Sequence, residues 1–321
     1  MNITNVTLSA DPDPESAQWL GILYGLYAVI GIPSNLLMLI LTITDKNLRT
    51  MPMNICIFSI TFADMMALVS FLSATLWTAT YDVMVCKVMG VGIYIFDVMS
   101  LLLPACLAVC RYAAVCWEQD LHPILRYLKT RRGILLLNAM FWTYGLTFTL
   151  PLIADDKFGL DRMGCCGVTD IDSVFLWTYY MIVIVGILFG AYTLMFIFYR
   201  KLGKWVKETS SLLTMSSVTR DTLMATRNLM RLLRWLLLLP VVVYYPALIV
   251  ETILRVFPNA ISVRTARYFL ITVPLPHVCD PIVTLLFVKS YRTALFSLLP
   301  LKGRMSTRVI PVVSSAHFTK Y

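Results

Sequence analysis

The chain has 321 residues, 59% of them hydrophobic and only 14% charged, with a mean hydropathy of +0.76. A soluble domain of this length could not cover so much apolar surface. The net charge of +9 is divided among short connecting segments, which excludes a nucleic-acid-binding reading.

Residues 1–18 carry three acids and neither Lys nor Arg. They contain no apolar core long enough for a signal peptide, so the first span is expected to act as its own insertion signal. The sequons Asn2-Ile3-Thr4 and Asn5-Val6-Thr7 make Asn2 and Asn5 glycosylation candidates on an outer face. Seven apolar runs follow, each reaching the roughly 20 residues that cross a bilayer as a helix. The expected helices cover 19–43, 53–77, 86–113, 133–153, 174–200, 229–254 and 265–287. Short alternating segments of the barrel kind are absent, as is an internal repeat of the transporter kind. The expected fold class is an all-α membrane protein. A seven-transmembrane helix bundle over 19–299 lies between an outer segment 1–18 and a cytoplasmic tail 300–321.

Charge orients the bundle. With the amino end outside, 21 of the 27 Lys and Arg fall in the inner loops, the inner ends of the helices and the tail. Inverting the chain would invert that ratio, so the basic residues place the N-terminus outside and the C-terminus in the cytosol of a multi-pass plasma-membrane protein. Of the eight cysteines, Cys86 opens the third span on the outer face, and Cys165 and Cys166 sit in the second outer loop. A disulfide from Cys86 to one of these two would tie the loop over the bundle mouth; the sequence does not choose between them.

From Cys86 to Arg111 is 25 residues, about 37 Å of helix, which places the two residues at opposite membrane faces. Arg111 stands in Cys110-Arg111-Tyr112. With it come Gly31-Ile32-Pro33-Ser34-Asn35, Ala63-Asp64, Trp142, Pro151, Tyr199, Tyr244-Tyr245-Pro246 and Asp280-Pro281, in order and on successive spans. Over residues 20–300 the chain resembles the rhodopsin-like G-protein-coupled receptors. Within that superfamily, Asp280-Pro281-Ile282-Val283-Thr284 with Tyr291-Arg292, and the loop Lys46-Asn47-Leu48-Arg49-Thr50, are similar to nematode serpentine chemoreceptors of the Srd and Str kinds. The resemblance implies a receptor, not an enzyme, that passes an extracellular small-molecule signal to a heterotrimeric G protein. A neuropeptide receptor and a non-signalling seven-helix scaffold of the same fold stay open as alternatives. The chain departs from the common pattern at Cys110, where an acid is usual, at Tyr244 for tryptophan, at Pro240 for an aromatic, at Ala191 for proline and at Thr284 for tyrosine.

The candidate site residues follow. Ile93, Tyr94, Asp97, Trp177, Tyr180, Tyr244, Tyr245 and Glu251 are expected around a ligand pocket, with Asp97 either at its floor or hydrogen-bonded to Ser100 or Asp64. The outer segments hold ten acids against six bases, which favours a cationic or neutral ligand by steering. Under the resemblance, Asp64, Ser100 and Asp280 map onto a buried sodium and water pocket; a shared proton or a water network would serve the same acids. His277 is expected to donate to Asp280. Arg111, Tyr112, Tyr199, Arg231, Arg234, Pro246, Asp280 and Pro281 are the expected activation and G-protein-coupling set. Arg227, Arg231 and Arg234 form one basic stripe that also suits anionic lipid. With no acid beside Arg111 or at the inner end of the sixth span, the resting state is expected to be held by packing more than by an ion pair. Phe287, Tyr291, Leu295 and Leu298 form an apolar stripe expected to lie as an eighth helix in the membrane interface.

Overall fold

The computed structural model describes residues 14–80, 83–115, 122–161, 163, 165–211, 217–257 and 259–298. The sequons at Asn2 and Asn5, the outer segment before residue 14 and the tail beyond 298 lie outside the described residues. The described helices and strands in chain order are α1 Pro14–Thr44, α2 Lys46–Thr50, α3 Asn54–Thr80, α4 Val83–Val115, α5 Pro123–Tyr127, α6 Arg131–Ala154, β1 Phe158–Leu160, β2 Cys166–Val168, α7 Val174–Ser210, α8 Ser217–Val256, α9 Val263–Leu270, α10 Leu275–Phe287 and α11 Lys289–Leu298. Among the described residues, six helical stretches are long and apolar enough to cross a membrane, and α7 supplies a further 37-residue helix whose apolar part begins at Val174.

The third span is the central pillar. Every residue from Val98 to Cys110 on α4 is buried, and α4 packs on α3, α6, α7, α8 and both strands. A helix apolar on all sides belongs in the interior. The outward faces of its neighbours carry exposed Trp19, Val29, Ile43, Phe189 and Val242, the surface that hydrocarbon would cover. Small residues permit the close approaches: a Cβ on Gly31 of α1 would meet Leu68 Cδ1 on α3.

Three boundaries differ from the sequence expectation. The seventh span is not one helix over 265–287 but α9 and α10, separated by turns at Ile271–Pro274. Pro274 and Pro276 interrupt the backbone ladder there, because proline has no N–H to donate. The fifth and sixth spans run past 200 and begin before 229, so much of the third inner loop is helix. Good helix formers and the i,i+4 pair Lys204–Glu208 (3.7 Å) support the extension. At α11, Tyr291 and Ala294 are buried against the bundle, whereas Leu298 is 54% exposed. Only part of the anticipated stripe therefore packs inward. Tyr291 Oη lies 2.9 Å from Thr42 Oγ1 of α1 and fixes α11 to the bundle.

β1 and β2 form an antiparallel hairpin, with Phe158 opposite Val168 and Leu160 opposite Cys166. It lies on α4 because Gly90 offers no side chain: a Cβ there would meet the Gly167 backbone at 3.1 Å. The Cys86–Cys166 disulfide, with Cα atoms 5.1 Å apart, fastens β2 to α4. The choice left open by the sequence thus falls on Cys166.

Candidate functional site

Beneath the hairpin lies a cavity of about 220 Å³. Asp97 and Tyr244 line its deep end, Tyr24 and Leu20 come from α1, and Asp161, Met163 and Cys165 come from the hairpin segment. Ile93, Tyr94, Asp97, Tyr180, Tyr244 and Glu251 line it as anticipated. Trp177 and Tyr245 do not. Successive helical residues are rotated by about 100°, so Trp177 turns away from the face that Leu176 and Tyr180 bury. Tyr245 turns toward α7, where its ring meets Phe189 (6.3 Å) and Tyr192 (6.0 Å). The sequence reading missed Tyr24, Asp161 and Arg267, which also line the cavity. Only tertiary packing brings the first span and the second outer loop to it.

The hairpin is held over the cavity by charge. Glu251 Oε1 accepts from Tyr180 Oη (3.1 Å) and from Arg255 Nη2 (2.8 Å). The same guanidinium donates to the carbonyls of Val168 (2.8 Å) and Thr169 (3.0 Å). Glu251 therefore acts in the wall through an ion pair that holds β2 to α8. Asp161 Oδ1 accepts from the backbone N–H of Met163 (2.9 Å) and Cys165 (2.8 Å). Burial is the larger influence on Asp161 and pushes its carboxyl up to about 7, against the lowering effect of these N–H donors. Arg267, 1% exposed, donates to Met163 O (2.7 Å) and Ser16 Oγ (3.0 Å), tying α9, the loop and α1 together.

Below the cavity the polar groups form one chain of contacts. Asp97 Oδ1 lies 2.9 Å from His277 Nε2, which is also 2.8 Å from Tyr244 Oη. His277 Nδ1 lies 2.8 Å from Asp64 Oδ1, and Ser100 Oγ donates to the same oxygen at 2.7 Å. His277 is thus bonded to Asp64 and Asp97, not to Asp280 as anticipated. Asp97 reaches His277 and neither Ser100 nor Asp64 directly, and it also lines the cavity. The other oxygen of Asp64, Oδ2, and Oδ1 of Asn35 are buried with no hydrogen-bond partner among the described residues. Asp280 is buried one helical turn beyond His277. Unpartnered oxygens and a second carboxyl are a donor set that suits a hard monovalent cation.

At the opposite end of α4, Arg111 Nη2 donates to Thr226 Oγ1 of α8 at 2.5 Å, and Nη1 reaches Met53 Sδ at 3.5 Å. One hydrogen bond to a neutral hydroxyl joins the third and sixth spans. The Tyr112 ring packs at a tilt against Phe198 (5.2 Å) with the Lys201 ammonium over it (5.2 Å). Tyr199 Oη accepts from Arg234 Nε and Nη2, both at 3.2 Å. Arg231 is exposed. Pro246 and Pro281 lie inside α8 and α10. Thr226 is the member of this end that the sequence reading missed, since nothing in a lone helical threonine marks it.

The family described as 7 transmembrane receptor (rhodopsin family) matches residues 34–283. The chain belongs to this family. It is therefore a multi-pass membrane receptor of a signalling family and not an enzyme. The receptor is 25% identical over 163 residues to a rhodopsin of Neoniphon argenteus, covering 49% of this chain and 45% of that protein. It is 27% identical over 162 residues to a rhodopsin of Batrachocottus multiradiatus, covering 48% and 54%. It thus spans about half the length of the curated relatives it matches. The crystal structure of squid rhodopsin superposes with a TM-score of 0.71 over 90% of this chain and 86% of that one, at 17% identity. That likeness shows the seven-helix fold. The more specific nematode chemoreceptor resemblance has no counterpart among these relatives.

Proposed function

We propose that the receptor is a chemosensory one, in which a small extracellular molecule enters the cavity under the hairpin and biases coupling to a heterotrimeric G protein at the Arg111 end. The observation that carries this reading is the hydroxyl of Tyr94. It belongs to a cavity-lining residue, is buried, and has no hydrogen-bond partner among the described residues. A buried polar group left unmade costs about 1–3 kcal/mol, which a ligand oxygen or nitrogen would recover once binding opens this closed-off hydroxyl to the cavity. The remaining wall is mainly aliphatic and aromatic. A compact, largely apolar molecule with one polar end fits this wall better than an extended peptide. Among the described lining residues there is no lysine, so none of them offers an amine for a covalent imine.

Signal passage follows from the contacts. A ligand acting on Asp97 or Tyr244 acts directly on His277, and through it on Asp64 and Ser100. It shifts the bundle only through different affinity for two arrangements. A sodium ion would be held by Asp64 Oδ2 and Asp280, with Asn35 and the remaining lone pairs of Ser100 as neutral oxygens. Its charge would offset the second carboxylate. At the inner end, opening separates Arg111 from Thr226, and the basic stripe of α8, already exposed at Arg227, Arg231 and Arg234, faces the G protein and anionic lipid.

The test is a screen of neutral and cationic odorants and of peptides on cells coexpressing several G-protein α-subunits, with Tyr94→Phe in parallel. A ligand of this cavity should lose about five- to twentyfold in potency on Tyr94→Phe. A peptide agonist indifferent to Tyr94 would transfer the assignment to the neuropeptide alternative.

A further inference from the structure

We infer that the Arg111 end of the bundle contains a binding site for one thiophilic monovalent metal ion, Cu(I), formed by Cys56, Cys106 and Cys110. Cys106 and Cys110 are four residues apart on α4 and so share a face, and Cys56 comes from α3 opposite them. All three are fully buried. Cys56 Sγ lies 3.7 Å from Cys106 Sγ and 3.9 Å from Cys110 Sγ, and all three sulfurs lie within 4.8 Å of one another. A point equidistant from three sulfurs so arranged is about 2.2–2.5 Å from each, against roughly 2.3 Å for a zinc–thiolate bond. The triangle therefore has metal–thiolate dimensions without any helix moving.

The donor set selects the ion. Structural zinc sites are almost always closed by four ligands, and among the described residues this group offers three sulfurs with neither imidazole nor carboxylate. Soft thiolates in a dry, three-donor site select Cu(I). Binding through three thiolates releases three protons and leaves the site with two negative charges. Arg111, the next residue after Cys110, holds a guanidinium positive charge at the same end. Its Nη1 contacts Met53, three residues before Cys56 and one turn away. Buried cysteines also serve as small apolar side chains in close-packed helices. That role fixes their size, but it does not require three thiols to meet at one point.

The site is tested on the full-length receptor in detergent or nanodiscs, reduced, with Cu(I) supplied in competition with a chromophoric Cu(I) chelator. One ion per receptor should resist the chelator, and X-ray absorption should show three sulfur neighbours. Cys106→Ser and Cys56→Ser should each weaken retention at least a hundredfold, whereas Cys165→Ser and Cys279→Ser should retain the ion. Cys106→Ala, compared by thermal unfolding of the metal-free protein, separates loss of a ligand from loss of fold. Retention of Cu(I) by the Cys56/Cys106/Cys110 triple variant would overturn the assignment. So would wild-type receptor that binds no more tightly than Cys106→Ser, or an absorption spectrum dominated by oxygen and nitrogen neighbours.

Discussion

Thr226 gives Arg111 its hydrogen-bonded partner on the sixth span, and a neutral hydroxyl is a weaker restraint than a carboxylate. A hydrogen bond to a charged group contributes about 1.5–3 kcal/mol, so its loss should shift a two-state bundle by roughly tenfold or more. Thr226→Val keeps the volume and removes the hydroxyl. Its ligand-independent signalling should rise several-fold at matched surface expression, with Thr226→Ser close to wild type. Equal basal signalling in the valine variant would show that the bond does not hold the resting state. Asp161 carries a pH prediction. Its carboxyl is pushed up to about 7 by burial, above the roughly 3.9 of an unfolded chain. The folded state therefore holds the proton more tightly. The stability it contributes is complete below about pH 4 and is lost as pH rises through about 7. Thermal unfolding of purified receptor should occur at lower temperature at pH 8 than at pH 5, and Asp161→Asn should flatten that slope. Individual residues were unevenly legible in the sequence. Asp97 was placed at the pocket because it is an acid at membrane depth, where a charge is rarely idle. Thr226 and Asp161 gave no such signal, because a threonine in a helix and an acid in an outer loop are ordinary.

The hairpin is the element that makes the cavity, and it is held by the Cys86–Cys166 bond, the Arg255 contacts to Val168 and Thr169 and the Arg267 contact to Met163 O. A disulfide typically contributes about 2–4 kcal/mol, largely by constraining the unfolded chain. Cys166→Ser should therefore lower the unfolding temperature and weaken ligand binding, while Cys165→Ser should lower the unfolding temperature much less. If Cys165→Ser proves the damaging change, the pairing is reversed. Apolar length and proline marked the spans in the sequence, yet their ends were legible only where chemistry changes sharply. The fourth span was expected at 133–153 and is Arg131–Ala154, because Thr130 caps Gly133 at 3.0 Å and charge begins there. The sixth span was expected twelve residues short, because its polar first turns suit helix and loop alike by composition. The break between α9 and α10 at Pro274 and Pro276 was not anticipated, since 265–287 reads as one apolar run; there the Leu270 carbonyl at the α9 terminus accepts from Val273 N–H (3.1 Å) and from Tyr24 Oη of α1 (3.0 Å).

For the molecule as a whole, hydrophobicity fixes the class and the distribution of basic residues predicts a direction. The centre of the bundle, by contrast, is a product of assembly. Asp64, Asp97, His277 and Ser100 lie on three helices separated by up to 213 residues, and which of them touch follows from helix rotation rather than from local pattern. The direction itself is open to measurement. Six Lys and Arg against twenty-one is an imbalance well beyond what loop length would produce, and short loops are where basic residues govern insertion. The hairpin, the disulfide and the cavity mouth belong to the poorly basic end, and Arg111, Lys201, Arg231 and Arg234 to the richly basic one. An epitope at the N-terminus should therefore be stained on intact cells and one at the C-terminus only after permeabilisation. Adding lysines to the segment before Trp19 should reduce the correctly oriented fraction by opposing that imbalance. A C-terminal epitope stained on intact cells would place the cavity in the cytosol, and the proposal of an extracellular ligand would fall with it.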